Sequence, residues 1–178
     1  MIVGVSHDMY LTSHMTFAGR SRELNALAAY ADPAGLPATA THRFARLLNL
    51  DESEHLDEIA FAHMVSDGLP VSSVAALGEL VGRARIEGRV ASEATLHRCR
   101  KSGRALSRSH SERVYGVARV LDAVGTAFHG DVQRIRDFLL RPHPLLGGES
   151  PLDLALASAP GADAVLNLVW RAEAGVAV

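Results

Sequence analysis

Nine histidines, one cysteine and a glycine pair ahead of a helix start are the residues of this 178-residue chain with the means for chemistry. Histidine is the commonest metal ligand and titrates near neutrality, so the spacing of the nine decides what they can do. His7 and His14 lie in a stretch with no period. His42, His55 and His63 fall on helical segments with no second histidine four residues on, and His129 and His143 stand isolated among glycine and proline. There is no HExxH and no Cys–His spacing that would hold zinc. The histidines therefore read as structural or surface residues. Gly147-Gly148-Glu149-Ser150 leads into a helix start, where phosphate can dock. It lacks the preceding strand and following lysine of a P-loop, and reads as a chain-reversing turn. Cys99 has the basic neighbours Arg98 and Arg100 that favour a reactive thiolate. It also shares a helix face with Leu96, which points to a small buried hydrophobe. No Ser/His/Asp signature is present. The expectation is no enzyme, no cofactor and no metal.

Surfaces are then left to carry the function, and charge locates one. From Arg83 to Arg119 ten Lys/Arg stand against three acids, a net +7 in a chain whose total is −2. Such asymmetry suits either a face aimed at something anionic or a solvated arginine-rich helix face. Within this stretch Ser92 to Lys101 reads as a capped helix ending at Gly103. Leu96 and Cys99 face inward. Thr95 and Arg98 share an outward face, and His97 and Lys101 the neighbouring one. Thr95, His97 and Arg98 are of the types that read a major groove, and Arg100, Lys101 and Arg104 of the type that reaches phosphate. The preceding piece, Arg83 to Glu87 between Gly82 and Gly88, spans barely more than one turn, too short to brace a recognition helix. Helical packing or dimerisation is the other reading of the same segment.

The elements that must position these residues are helices. Ser21 to Ala31 carries Leu24, Leu27 and Ala28; Thr41 to Leu50 carries Phe44, Leu47 and Leu48. A helix from Ser53 shows Leu56, Ile59, Ala60 and Met64, with Asp51, Glu52 and Glu54 at its start. Val71 to Val81 presents Val74, Leu77, Leu80 and Val81. Ser109 and Glu112 form a capping box that opens a long helix with Val114, Val117, Val120, Leu121, Val124 and Phe128 inward. Val132, Ile135, Phe138 and Leu139 follow, halted by Pro142. Ser150-Pro151-Leu152-Asp153 starts the next helix. Pro160-Gly161 separates it from a final helix with Val165, Leu168, Val169 and Ala172 in its stripe. No strand pattern and no internal repeat occurs, so the expected fold class is all-α. The lone cysteine, the lack of any membrane-length apolar run and the absence of a signal-like start at Met1 to Asp8 suggest a cytoplasmic protein.

Several pieces in order resemble one family. Gly68-Leu69-Pro70 comes first, then Ser92 to Arg100, Ser111-Glu112-Arg113-Val114-Tyr115 and Ala118-Arg119-Val120-Leu121. Arg141-Pro142-His143-Pro144-Leu145-Leu146-Gly147-Gly148-Glu149-Ser150-Pro151-Leu152-Asp153-Leu154-Ala155 and a late Gly175-Val176 complete the set. The series resembles the Xre/MbcA/ParS-type antitoxins of RES-domain toxin–antitoxin systems over about residues 68–178, most strongly from Arg141 on. The resemblance implies an Xre-like helix-turn-helix-type domain at 68–128 and a toxin-binding domain at 129–178, with 1–67 outside it. It further implies an antitoxin, homodimeric within a hetero-oligomer, that covers the NAD pocket of a RES-domain toxin and often binds operator DNA. In that setting Asp153, Trp170, Arg171, Glu173, Gly175, Val176, Ala177 and Val178 are the expected toxin-binding residues. Glu173 and the Val178 carboxylate are the expected anions for a donor-lined cleft that binds pyrophosphate, and Trp170 and Arg171 the expected anchors of the interface. Core packing is the other reading of Trp170, and a frayed end that of the tail. A stand-alone helix-turn-helix regulator without a toxin partner is the alternative function.

Overall fold

Most helices among the described residues begin where a Ser, Thr or Asp side chain caps the first turn. The computed structural model describes residues 26–50 and 56–175, and every regular element among them is helical. In chain order the α-helices are α1 Ala40–Leu47, α2 Glu58–Asp67, α3 Ser72–Val81, α4 Arg83–Val90, α5 Glu93–Ser102, α6 Arg108–Ala127, α7 Val132–Leu140, α8 Pro151–Ala157 and α9 Ala159–Glu173. Seven of these nine start on a side-chain cap, from Thr39, Asp57, Ser92, Ser107, Asp131, Ser150 and Ser158. Each cap satisfies an N–H that the helix itself leaves unpaired, worth about 1 kcal/mol.

Four starts or faces differ from the expectation. The cap of α6 is Ser107, whose hydroxyl accepts from the His110 N–H, so Ser109 lies inside the first turn. Ser111, expected within the capping box, is buried, and its Oγ accepts from the Leu69 N–H at 2.8 Å. α2 starts after Asp57, with Glu58 as its first-turn acid. It buries Phe61 and Val65, while Ile59, expected inward, is 69% exposed. Asp51, Glu52 and Glu54 lie outside the described residues, as does Leu24.

The third difference is α4. It does not stop at Gly88 but runs through it to Val90. A mid-helix glycine costs about 1 kcal/mol against alanine. Ile86 and Val90, four apart and both fully buried, each return more than that. The fourth is α9, which begins at Ala159 and contains Pro160 and Gly161 in its first turn, where a proline sacrifices no hydrogen bond. Ser158 alone separates α8 from α9. Gly161 is needed there: a Cβ on it would lie 2.1 Å from the Leu154 carbonyl oxygen. On α9 the buried face is Val165, Leu166, Leu168 and Val169, and Ala172 is exposed.

α6 is the axis of the fold. It packs against α8 and α9 on one side and against α1, α2 and α3 on the other. The expected stripe Val114, Val117, Val120, Leu121 and Val124 is buried, with Phe128 half-buried past its end. α3 buries Val74, Leu77, Leu80 and Val81, also as expected. No single described helix is long and apolar enough to cross a membrane.

Besides Ser111, α6 buries one charged residue. Asp122 accepts from the Tyr30 hydroxyl at 2.6 Å and from both Arg43 Nε at 2.6 Å and Nη2 at 3.0 Å. Arg43 Nη1 also donates to the Pro37 carbonyl. A carboxylate in this position needs such partners, because an unpaired buried charge is prohibitively costly. Burial, and after it the Asp122 charge, push the Tyr30 phenol well above its ordinary value near 10. The hydrogen bond to Asp122 raises Arg43 in turn. Through these bonds Tyr30 and α1 are fixed to α6.

Candidate toxin-binding surface and basic helix

The path into the last two helices is set by prolines and glycines. α7 ends at Leu140, before Pro142. His143 Nδ1 accepts from the Leu145 N–H, and a 3₁₀ turn over Pro144–Leu146 buries Leu146 and leaves Leu145 exposed. Gly147 and Gly148 have φ of 67° and 82°, a left-handed path that glycine takes without strain. The His143 N–H then donates to the Glu149 carbonyl, closing the reversal. The glycine pair is the turn that its sequence suggests. Ser150 caps α8 by accepting from the Asp153 N–H at 3.2 Å, with Pro151 at the first helical position.

The expected toxin-binding residues divide into two groups. Asp153 is ion-paired with Arg89 of α4. Trp170, Arg171, Glu173 and Gly175 form the exposed end of α9. Trp170, with 52% of its surface exposed, stands off the buried face of α9 rather than in the core. The Ala174 N–H donates to the Trp170 carbonyl, and Gly175 takes φ 68°, so the helix ends there in a left-handed turn. Val176, Ala177 and Val178 lie outside the described residues.

The basic helix is α5, joined to α4 by Ala91 and Ser92 alone. Leu96 anchors it in the core, and Cys99 is half-buried with Sγ 3.8 Å from the Ala105 carbonyl. Thr95, expected to face outward, is half-buried, and its hydroxyl is 2.9 Å from that of Ser92. Arg100 is held by Glu87 of α4 at 2.7 Å. Partners absorb most of the basic stretch in the same way. Arg83 pairs with Glu79, Arg89 with Asp153, Arg108 with Glu112 and Arg119 with Asp163. Arg113 donates to the carbonyls of Arg89 and Val90 at the end of α4. Arg98, Lys101 and Arg104 are exposed and make no ion pair among the described residues, as His97 is exposed beside them. Arg85 of α4 is likewise exposed with no ion pair among the described residues, so the unpaired charge lies on α4, α5 and the residues just after them.

No group of three or more His, Cys, Asp or Glu that could hold a metal ion occurs among the described residues. Sequence reasoning missed two features. One is the Tyr30–Asp122–Arg43 cluster, and the other an aromatic cavity between α1, α2 and α6. A signal for the first existed: an aspartate inside the apolar run Val120-Leu121-Asp122-Ala123-Val124 must find a partner. No comparable signal marked the second.

The segment from α7 to α9 thus combines capped helices, a proline–glycine reversal and an exposed aromatic end. Residues 121–175 match the family model of the antitoxin Xre/MbcA/ParS C-terminal toxin-binding domain. The match supports an antitoxin role with a toxin as partner. Neither among curated proteins nor among solved structures does the chain have a match.

Proposed function

We propose that the chain neutralises a RES-domain toxin by laying the end of α9 and the residues after it over the toxin's NAD cleft. The observation that carries this reading is the exposed Trp170 at the end of a helix whose other faces complete a toxin-binding domain. Tryptophan and arginine are both enriched among the residues that dominate interface energy. An NAD cleft must hold a pyrophosphate and so presents cationic donors, to which Glu173 offers a competing anion. In this reading the chain does no chemistry of its own, works in the cytoplasm, and sits as a homodimer within a larger complex. Residues 68–128 form the helix-turn-helix-type part and 129–178 the toxin-directed part. The test is an NAD-consumption assay on the co-expressed toxin with full-length chain and with a chain lacking Gly175–Val178. Loss of protection with an unchanged circular dichroism melt supports the reading, and full protection by the shortened chain refutes it.

Repression of its own promoter is a second reading, favoured by α4. At eight residues it offers two turns to brace α5, where the sequence suggested barely one. A gel shift of the full-length protein on its upstream DNA at low salt tests it, and no shift removes it.

A further inference from the structure

Outside the matched segment, α1, α2 and α6 enclose a half-open cavity of about 470 Å³. Three aromatic rings stand in its wall. Phe44 and Tyr115 are 5.5 Å apart, centroid to centroid, at 77°; Phe61 is 6.1 Å from Phe44 and 5.6 Å from Tyr115. Ala40, Thr41, Ala62 and Val65 also line it, and two carboxylates, Glu58 and Glu112, complete the lining. Glu58 makes no ion pair among the described residues, and Glu112 engages Arg108 through Oε1 only. No basic side chain lines the cavity.

Rings inclined to one another offer faces and edges to a body between them, and the face of an aromatic ring attracts a cation. Two carboxylates beside such rings disfavour an anion and add little for a neutral guest. The ring of Tyr115 already draws one cation: the Arg119 guanidinium lies 5.7 Å from its centroid, with its charge offset by Asp163 at 2.9 Å. A metal ion would find only two carboxylates and hydrocarbon here. A guest with an apolar body and a positive charge satisfies both the rings and the acids.

We propose that this cavity is a binding site for a small organic cation of the alkylammonium class, with Phe44, Phe61 and Tyr115 receiving its methyl groups and Glu58 and Glu112 its charge. None of its lining residues lies in the matched segment.

The experiment titrates the ¹⁵N-labelled full chain with choline and, separately, with 3,3-dimethyl-1-butanol, its uncharged isostere, at matched ionic strength. Saturable amide shifts confined to Thr41, Ala62, Val65, Tyr115 and their neighbours are expected with choline, and the isostere should bind roughly tenfold more weakly. Glu58→Gln, an exposed position whose change leaves the fold intact, should weaken choline several-fold. Tyr115→Leu, which keeps an apolar wall without the ring, should weaken it further. Equal binding of the two guests overturns the proposal. So does a choline response that lies elsewhere, or one that Glu58→Gln leaves unaltered.

Discussion

Arg43 and Asp122, 79 residues apart in sequence, meet fork to fork, Nε on Oδ1 at 2.6 Å and Nη2 on Oδ2 at 3.0 Å. Two parallel charge-assisted bonds fix orientation as well as distance. The side chains are 22% and 11% exposed, so the pair is mostly withdrawn from water, and losing one partner strands the other. Arg43→Met is expected to lower unfolding free energy by about 2–3 kcal/mol, below the full cost for a wholly buried pair. A double variant, Arg43→Met with Asp122→Leu, should recover part of that loss. Urea denaturation checks both, and equal stability of single variant and wild type would show the pair to be energetically idle.

Tyr30 makes the same cluster sensitive to alkali. Its phenol is held protonated in the folded chain by burial and by Asp122, whereas unfolded it releases its proton near its ordinary value. The folded state thus binds the proton more tightly. The contribution is fully present below about pH 10 and is lost as pH rises beyond it. Tyr30→Phe should be less stable at pH 7, through loss of the 2.6 Å bond to Asp122. It should also lose stability less steeply than the wild type above pH 10. Parallel melting curves from pH 7 to 11 would contradict this.

Two glycines should respond to alanine in opposite directions. At Gly161 the new methyl would meet the Leu154 carbonyl oxygen at 2.1 Å, so α8 and α9 must part, at a cost of about 2–3 kcal/mol. At Gly88 nothing lies within 4 Å of the added carbon, and the site is inside α4. There alanine should stabilise by about 0.5–1 kcal/mol. Thermal denaturation of the two variants separates close packing from backbone freedom.

Trp170→Ala should leave the melting point nearly unchanged, since the ring is half exposed and the core of α9 lies on its other face. Exposed substitutions usually stay within about 0.5 kcal/mol. Toxin affinity should fall by about 2 kcal/mol, or roughly thirtyfold. Calorimetric titration of the variant with the toxin decides the matter; undiminished affinity would place the interface elsewhere.

Arg98→Ala with Lys101→Ala should weaken promoter binding at every sequence tested and flatten its salt dependence by about 1.8 in log–log slope, two phosphate contacts' worth. Arg100→Ala should do less to DNA, because Glu87 holds that side chain against α4. Neutralisation should persist in both variants. A salt slope equal to wild type would remove these side chains from the phosphate contacts.

What was legible in the sequence followed from local rules. The α6 stripe, the Ser92 and Ser150 caps and the glycine reversal at 147–148 each depend on a few adjacent residues, and all appear. Trp170 could be recognised by type, and it lies off the Val165–Leu168–Val169 stripe. What was not legible depended on distant contacts. Gly88 reads as a stop until Ile86 and Val90 are seen in the core. Ser107 and Ser109 both suit a helix start, and the packing of Ser111 against Leu69 chooses between them. Glu87 reaches Arg100 across a helix boundary, so one expected phosphate ligand is occupied. Phe44, Phe61 and Tyr115 come from three helices, and nothing in their spacing announces a shared cavity.

The matched segment opens at residue 121, within the twenty-residue α6. A gene fragment cut at that point would keep Asp122 but discard Arg43 and Tyr30, and would sever the helix on which α8 and α9 rest. Grafting the matched segment onto another scaffold therefore calls for a cut upstream of Ser107, with a neutral residue substituted for the orphaned aspartate.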